Sequence, residues 1–362
     1  MSKSQLLNKK RLDKDINKIL ELITNSFEGS LISIILYGSY GRDEGSFYVS
    51  NGDIKVYNDY DILLVVKKKI PSNLLELVKK NLLDCLDIRF IDLSQKPVKK
   101  LKYLKPLIFN YDLKYGSSVI WGDLNILKKI PNFSPSQLTL EDAEILYFTR
   151  IYTFFGSIDE KGLNEGVCGE KSRFFRNQMA KAILAIVDVM LLQKKSYHTS
   201  YNERIRRFKN LYPKENKLIE LSDWALREKL SPSDERVKPS KIKIFYNDIL
   251  NSYHEVMFKA LSQYYKKNIK NSDDLRKAIS CSKQNFLLLF KTLLIEKNLK
   301  GFWRQKNIRL AQSYALEYLL GKENSSYALK KSKLLLMKID SGLKDKDIHK
   351  DSLRELIVKY SR

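Results

Sequence analysis

A chain of 362 residues is long enough for two hydrophobic cores, because single cores stop growing beyond about 250–300 residues. Its 43% hydrophobic and 11% aromatic content suits a packed globular protein, and its formal charge of +24 makes it strongly basic. No run reaches the roughly 18 uninterrupted apolar residues of a membrane span, and the three scattered cysteines and three histidines suggest neither a disulfide framework nor a zinc site.

The longest apolar candidate, Met179 to Leu192, carries Lys181 and Asp188. The opening MSKSQLLNKKRLDKD lacks the apolar core of a signal peptide, so a cytoplasmic location with no membrane partner is expected. Any metal should be held by carboxylates rather than by thiols or imidazoles. The lysines come in dispersed pairs, such as Lys79-Lys80, Lys99-Lys100 and Lys128-Lys129, and far outnumber the arginines. This is a pattern that an AT-rich genome produces by codon bias, and the charge reads as a solvated face rather than one nucleic-acid-binding tract.

In chain order, residues 5–27 place Leu12, Ile16, Ile19, Leu20 and Ile23 at the spacing of an amphipathic helix. LISIILY, Leu31 to Tyr37, is a β-branched apolar run stopped by Gly38-Ser39 and predicts a buried strand. FYVSNGDIKVYN suggests a hairpin around Asn51-Gly52. A second buried strand is expected over 61–66, a helix from Pro71 to about Leu83, a third strand near Leu86–Leu93, and an edge strand in SSVIWGD. The alternation argues for a small α/β sheet with helices packed on it.

At KKIPNFSPSQLTLED the composition changes, and Thr139 with Asp142 resembles a capping box. A domain boundary is placed there, giving an α/β domain over 1–135 and an all-helical domain over 136–362. Helical periodicity follows at about 141–158, 171–195, 202–211, 214–229, 240–265, 284–297, 305–321, 325–339 and 350–360.

Chemistry concentrates in LYGSYGRDEG and NDYDILLVV. Residues two apart on a strand share a face, so Asp59 and Asp61 project together. Like charges this close call for a cation, and a hard divalent ion such as Mg²⁺ suits oxygen ligands. Gly38 allows close backbone approach, Ser39 offers a hydroxyl, and the amides of the following helix turn face an anion, which suits a triphosphate. A third carboxylate would complete a two-metal site. LDIRFID offers Asp87 or Asp92, which fall on opposite faces of one strand.

The ordered set Tyr37-Gly38-Ser39, Glu44, Asp59-Tyr60-Asp61-Ile62 and Asp87 resembles the nucleotidyltransferase superfamily, which includes DNA polymerase β, antibiotic nucleotidyltransferases and CCA-adding enzymes. GSYGRDEG is similar to the GSxARGEA turn of small stand-alone bacterial and archaeal members, with Arg42 and Glu44 in matching places. The resemblance spans about residues 30–123. It implies an enzyme with the DNA polymerase β-like fold that uses two Mg²⁺ ions (or Mn²⁺). Ser39 and the turn would hold the triphosphate, aided by Gly38, Arg42 and Glu44. Asp59, Asp61 and Asp87 would hold metal; the family's third aspartate usually opens a strand, which favours Asp87 over Asp92.

In the antibiotic enzymes a helix of the second domain adds a lysine, matched here by Lys181, and a carboxylate one turn earlier, where this chain has Asn177. Asp188 is then a weak substitute as general base. Outside these, Arg204 and Arg207 could touch an acceptor, although an amphipathic-helix role fits them better, and GFWRQKNIR, with Trp303, Arg304, Lys306 and Arg309, is the best single candidate in the chain for a nucleic-acid contact. Tyr147, Phe148, Tyr152, Phe154 and Phe155 read as core.

The expected activity is transfer of a nucleoside monophosphate, AMP from ATP, to a hydroxyl of a small sugar or aminoglycoside-like acceptor, with the nucleotide held between the two domains. RNA, such as a tRNA end, or a protein side chain is the alternative acceptor. A nucleotide-binding regulator without turnover is a more remote reading, against which the intact carboxylates argue.

Overall fold

A computed structural model describes residues 3–50, 52–57, 59–86, 88, 90–280, 300–319 and 325–339. It is mixed α/β in the N-terminal part and mostly helical beyond. The chain forms two compact units, Met1–Thr139 with Lys195–Pro232, and Leu140–Lys194 with Ser233–Arg362. The change of composition predicts a boundary near residue 135. The compact units part at 139/140, and the first also takes in the segment 195–232.

In the first unit, helix α1 (Lys3–Phe27) leads into β1 (Leu31–Tyr37), the four-residue helical turn α2 (Gly38–Gly41), and β2 (Phe47–Ser50) paired antiparallel with β3 (Asp53–Val56). The expected hairpin around Gly52 is therefore present. Next come β4 (Tyr60–Val66), α3 (Ser72–Cys85), β5 (Ile91–Pro97), a 3-10 segment (Val98–Tyr103), α4 (Ile108–Tyr115) and β6 (Ser118–Gly122). The main sheet runs β5-β4-β1-β6, with β6 at an edge as predicted. It is mixed: β4 and β5 are parallel, while β1 is antiparallel to both β4 and β6.

β1 and β4 are buried almost throughout, which explains their near-continuous apolar runs. Ile19 and Ile23 of α1 join Ile34, Leu36, Ile62, Leu64 and Leu82 in one core on one face of the sheet. Each such side chain contributes about 1.5–3 kcal/mol on burial. The third strand begins later than the sequence suggests. The Leu86 amide still donates to Leu82 O at the end of α3, Ile88 N donates to Leu86 O, and pairing with β4 starts only at Ile91.

The first unit also holds α5 (Tyr201–Leu211) and α6 (Asn216–Leu230). The second unit contains α7 (Glu141–Gly156), α8 (Glu160–Glu165), α9 (Gly169–Gln193), α10 (Pro239–Tyr265), α11 (Ser272–Ser280), α12 (Lys300–Leu319) and α13 (Ser325–Ile339). The short helices α8 and α11 have no counterpart in the periodicity reading, and the expected helices at 284–297 and 350–360 lie outside the described residues.

α9 is buried along most of its length from Phe175 to Leu192, as the central helix of its unit. Tyr147 and Phe154 are fully buried, and Phe148 nearly so, in line with a core role. Tyr253 Oη donates to Tyr147 O at 2.6 Å, and Tyr246 Oη to Phe154 O at 2.7 Å, tying α10 to α7. The capping box forms at Ser134 and Gln137, ahead of a 3-10 turn, rather than at Thr139 and Asp142; the N-cap of α7 is Leu140. Among the described residues no helix is long and apolar enough to cross a membrane.

Candidate functional site

Strand register brings the Gly-Ser turn and two aspartates to one end of the sheet. Tyr37, the last residue of β1, pairs with Asp61 on β4, and Asp61 pairs in turn with Asp92 on the parallel strand β5. Tyr60, between the two acids of the DYD triplet, faces the other way. It is fully buried and donates to Asp15 Oδ2 at 2.8 Å; burial and the Asp15 charge push its phenol well above the ordinary tyrosine range. Asp59 and Asp61 are both half-buried, as alternation about a buried Tyr60 requires.

Gly38 is demanded twice. Its φ of +68° lies in the left-handed region, and a Cβ there would overlap the Asp61 carboxylate. The turn and the aspartate thus occupy adjoining space. Ser39 is buried, and its carbonyl accepts from the Glu44 amide at 2.9 Å, which closes the turn.

Asp92 takes a hydrogen bond from Tyr37 Oη at 2.7 Å. Burial, followed by the Asp92 charge, pushes the Tyr37 phenol far up, so it stays a donor at any ordinary pH. Phe109 of α4 packs edge-on against the Tyr37 ring, with centroids 5.5 Å apart. Asp87 lies outside the described residues. The Tyr37 contact was not foreseen; its signal was a hydroxyl-bearing residue where a purely apolar one would end the strand equally well.

Arg42 and Glu44 lie in a different constellation. Arg42 donates to Glu44 Oε2 at 3.4 Å and to Asp112 Oδ2 at 3.3 Å. Glu44 accepts from Ser200 Oγ at 2.8 Å and from the Tyr201 amide at 2.9 Å, where its charge complements the N-terminus of α5. Asp112 of α4 also accepts from Arg204 Nη2 at 3.0 Å and Tyr197 Oη at 3.1 Å. Burial pushes the Asp112 carboxyl up, opposed by Arg204 and Arg42.

Arg204 further donates to the carbonyls of His198 and Thr199 and stacks on Tyr197, 4.4 Å from the ring centroid. Arg207 donates to Glu203 and to the carbonyls of Ser196 and Tyr197. Both arginines are thus engaged within their own unit, which fits the structural role above. Asp112 was not singled out in the sequence, since nothing near it marks one aspartate of α4 as the partner of arginines about 70 and 90 positions away.

Lys181 and Asp188 lie on α9 in the second unit, Lys181 half-buried and Asp188 buried. Asn177, also on α9, is buried. Arg309 of α12 donates to the buried Glu144 and lies over the Phe148 ring, so this member of the GFWRQKNIR stretch is built into its unit.

Among the described residues, Ser39, Asp59, Asp61 and Asp92 bring oxygen donors to this end of the sheet, which suits a hard divalent cation. Among the described residues, no three carboxylate, imidazole or thiol groups already stand together as a metal shell. Comparison of the chain with family models, with curated proteins and with solved structures finds no match in any of the three.

Proposed function

We propose that the protein is a Mg²⁺-dependent nucleotidyltransferase that moves AMP from ATP to a hydroxyl of a small acceptor. The observation that carries this reading is the register Tyr37–Asp61–Asp92, which sets the Gly-Ser turn beside two aspartates in space that only a glycine at position 38 leaves open. Asp59 and Asp61 would hold metal, with the third carboxylate drawn from Asp87 or Asp92. The position of Asp92 next to Asp61 favours the latter. When bound, the ions would neutralise the triphosphate and the carboxylates together.

In this reading the amides of the turn and the Ser39 hydroxyl seat the β- and γ-phosphates. The acceptor oxygen attacks the α-phosphorus, the bond to the β-phosphate oxygen breaks, and pyrophosphate leaves as the acceptor loses its proton. The chain's share is positioning and charge complementarity. Lys181, as a further phosphate contact, follows from the resemblance alone. Arg42 and Glu44 would act by holding the turn rather than by touching nucleotide.

A labelled-ATP transfer assay against pooled metabolites and total RNA tests the reading directly. The wild type is expected to release pyrophosphate only with Mg²⁺ or Mn²⁺. The variant carrying Asp59→Asn and Asp61→Asn should lose at least about 10²-fold in rate while melting as the wild type does. Retained turnover in that variant would falsify the site. Transfer to RNA that collapses with rising salt would favour the RNA acceptor over the small one.

A further inference from the structure

The end of the sheet opposite the aspartates carries a cluster of lysines that the sequence shows only as separate runs. β4 and β5 are parallel and finish level, Val66 beside Pro97, so the Lys67-Lys68-Lys69 turn and the Val98–Tyr103 segment leave the sheet side by side. Gln95 fastens the two, accepting from the Ile70 amide and donating to the Ile70 carbonyl, both at 2.7 Å. Lys68, Lys69, Lys99, Lys100 and Lys102 are exposed, and Lys96 is half-buried beneath them. Burial and the neighbouring Lys100 charge push the Lys96 ammonium below its ordinary value, as expected where lysines crowd. Among the described residues none of these lysines makes an ion pair with a carboxylate, whereas Lys129, Lys161, Lys171 and Lys209 do. At the rim Tyr103 is 73% exposed, with Lys102 Nζ 4.9 Å from its ring centroid.

We infer that this surface, formed by Lys68, Lys69, Lys99, Lys100, Lys102 and Tyr103, docks a single-stranded nucleic acid. Uncompensated lysines at the ends of adjacent strands meet successive phosphates, and an open tyrosine offers a base a stacking face, the two elements of sequence-tolerant strand binding. An anionic membrane fits less well, because the Tyr103 ring at the rim comes with a charge laid over it rather than with an apolar wedge. The surface lies roughly 20 Å along β4 from Asp61, at about 3.3 Å per residue. It is therefore a docking site separate from the candidate catalytic end, and the inference stands whether or not the transferase reading does.

The test is fluorescence anisotropy of a labelled oligouridylate of about 12 nucleotides, titrated with the full chain over a range of salt. Replacing Lys68, Lys69, Lys99 and Lys100 together by Gln should weaken binding at least about tenfold at low salt. The same change should lower the slope of log affinity against log salt by about 3, the value for four lost phosphate contacts. Tyr103→Ala should cost roughly fivefold without changing the slope. A control variant with Lys241, Lys243, Lys259 and Lys267 changed to Gln removes the same charge from exposed positions of the other unit and should alter affinity less than about threefold. The inference is overturned if the wild type does not bind the oligonucleotide, if the first quadruple variant binds as well as wild type, or if the control is equally impaired. Binding to vesicles of mixed phosphatidylserine and phosphatidylcholine, but not to the oligonucleotide, would assign the surface to membranes instead.

Discussion

Two groups of carboxylates in the first unit are built on opposite terms. Asp112 and Glu44 are met by Arg42, Arg204, Tyr197, Ser200 and the Tyr201 amide, so their charge is spent on fastening α4, the Gly-Ser turn and α5 to one another. At the sheet end, Asp92 is met by a neutral phenol, and among the described residues neither Asp59 nor Asp92 forms an ion pair. Carboxylates that need only hold a fold acquire cationic partners from the chain. Those left without them remain able to attract a hard cation from solution.

The contrast predicts that damage to the first group is read in stability and damage to the second in turnover. The largest effect on stability is expected from Asp112→Ala, which leaves two buried guanidiniums facing each other. Urea unfolding should show a loss of about 3–5 kcal/mol, and limited proteolysis should cut first within 195–232. An unchanged unfolding midpoint would mean that the arginines find other partners and that the clamp is decoration.

Gly38→Ala comes next, since it forces a side chain into the left-handed region at a cost of about 1–2 kcal/mol and displaces the Asp61 carboxylate. Metal-dependent pyrophosphate release should vanish in this variant although a folded protein persists in circular dichroism. Full activity would show that the turn and Asp61 do not share a site.

Tyr37→Phe removes a single hydroxyl and should cost no more than about 1 kcal/mol in urea. The Mg²⁺ concentration for half-maximal turnover should nevertheless rise, because Asp92 loses the donor that orients it. A loss of stability with no change in metal dependence would move Asp92 from the second group to the first.

The smallest effect concerns Glu203, which the hydrogen bonds of Arg206 and Arg207 hold down from 4.5 to about 2. A depressed carboxyl stabilises the fold above its unfolded value and loses that contribution as pH falls from about 4.5 toward 2. Glu203→Gln should therefore cost at most about 1 kcal/mol at pH 7, as for other surface pairs, and nothing measurable near pH 2. Thermal melts at the two pH values separate these cases.

Much of the first unit was legible because its signals are local. LISIILY and DILLVV are continuous apolar runs bounded by turn residues, and Asn-Gly between polar strands marks a hairpin. The start of the third strand was misplaced by several residues, because LDIRFIDLS is apolar enough to pair from either end, and the choice falls to the last turn of α3. The same uncertainty governs the third carboxylate.

By itself the sequence determined the α/β start, the helical remainder, and the shared face of Asp59 and Asp61, since each follows from spacing along one segment. Tertiary structure alone decided that α5 and α6 belong with the sheet, that Arg42 and Glu44 turn to a clamp, and that Asp92 lies beside Asp61. It also gathered two lysine runs, nearly thirty residues apart, at one end of the sheet. These are long-range pairings, set by strand register and by burial against distant residues, and no local pattern in the chain encodes which partner will be met.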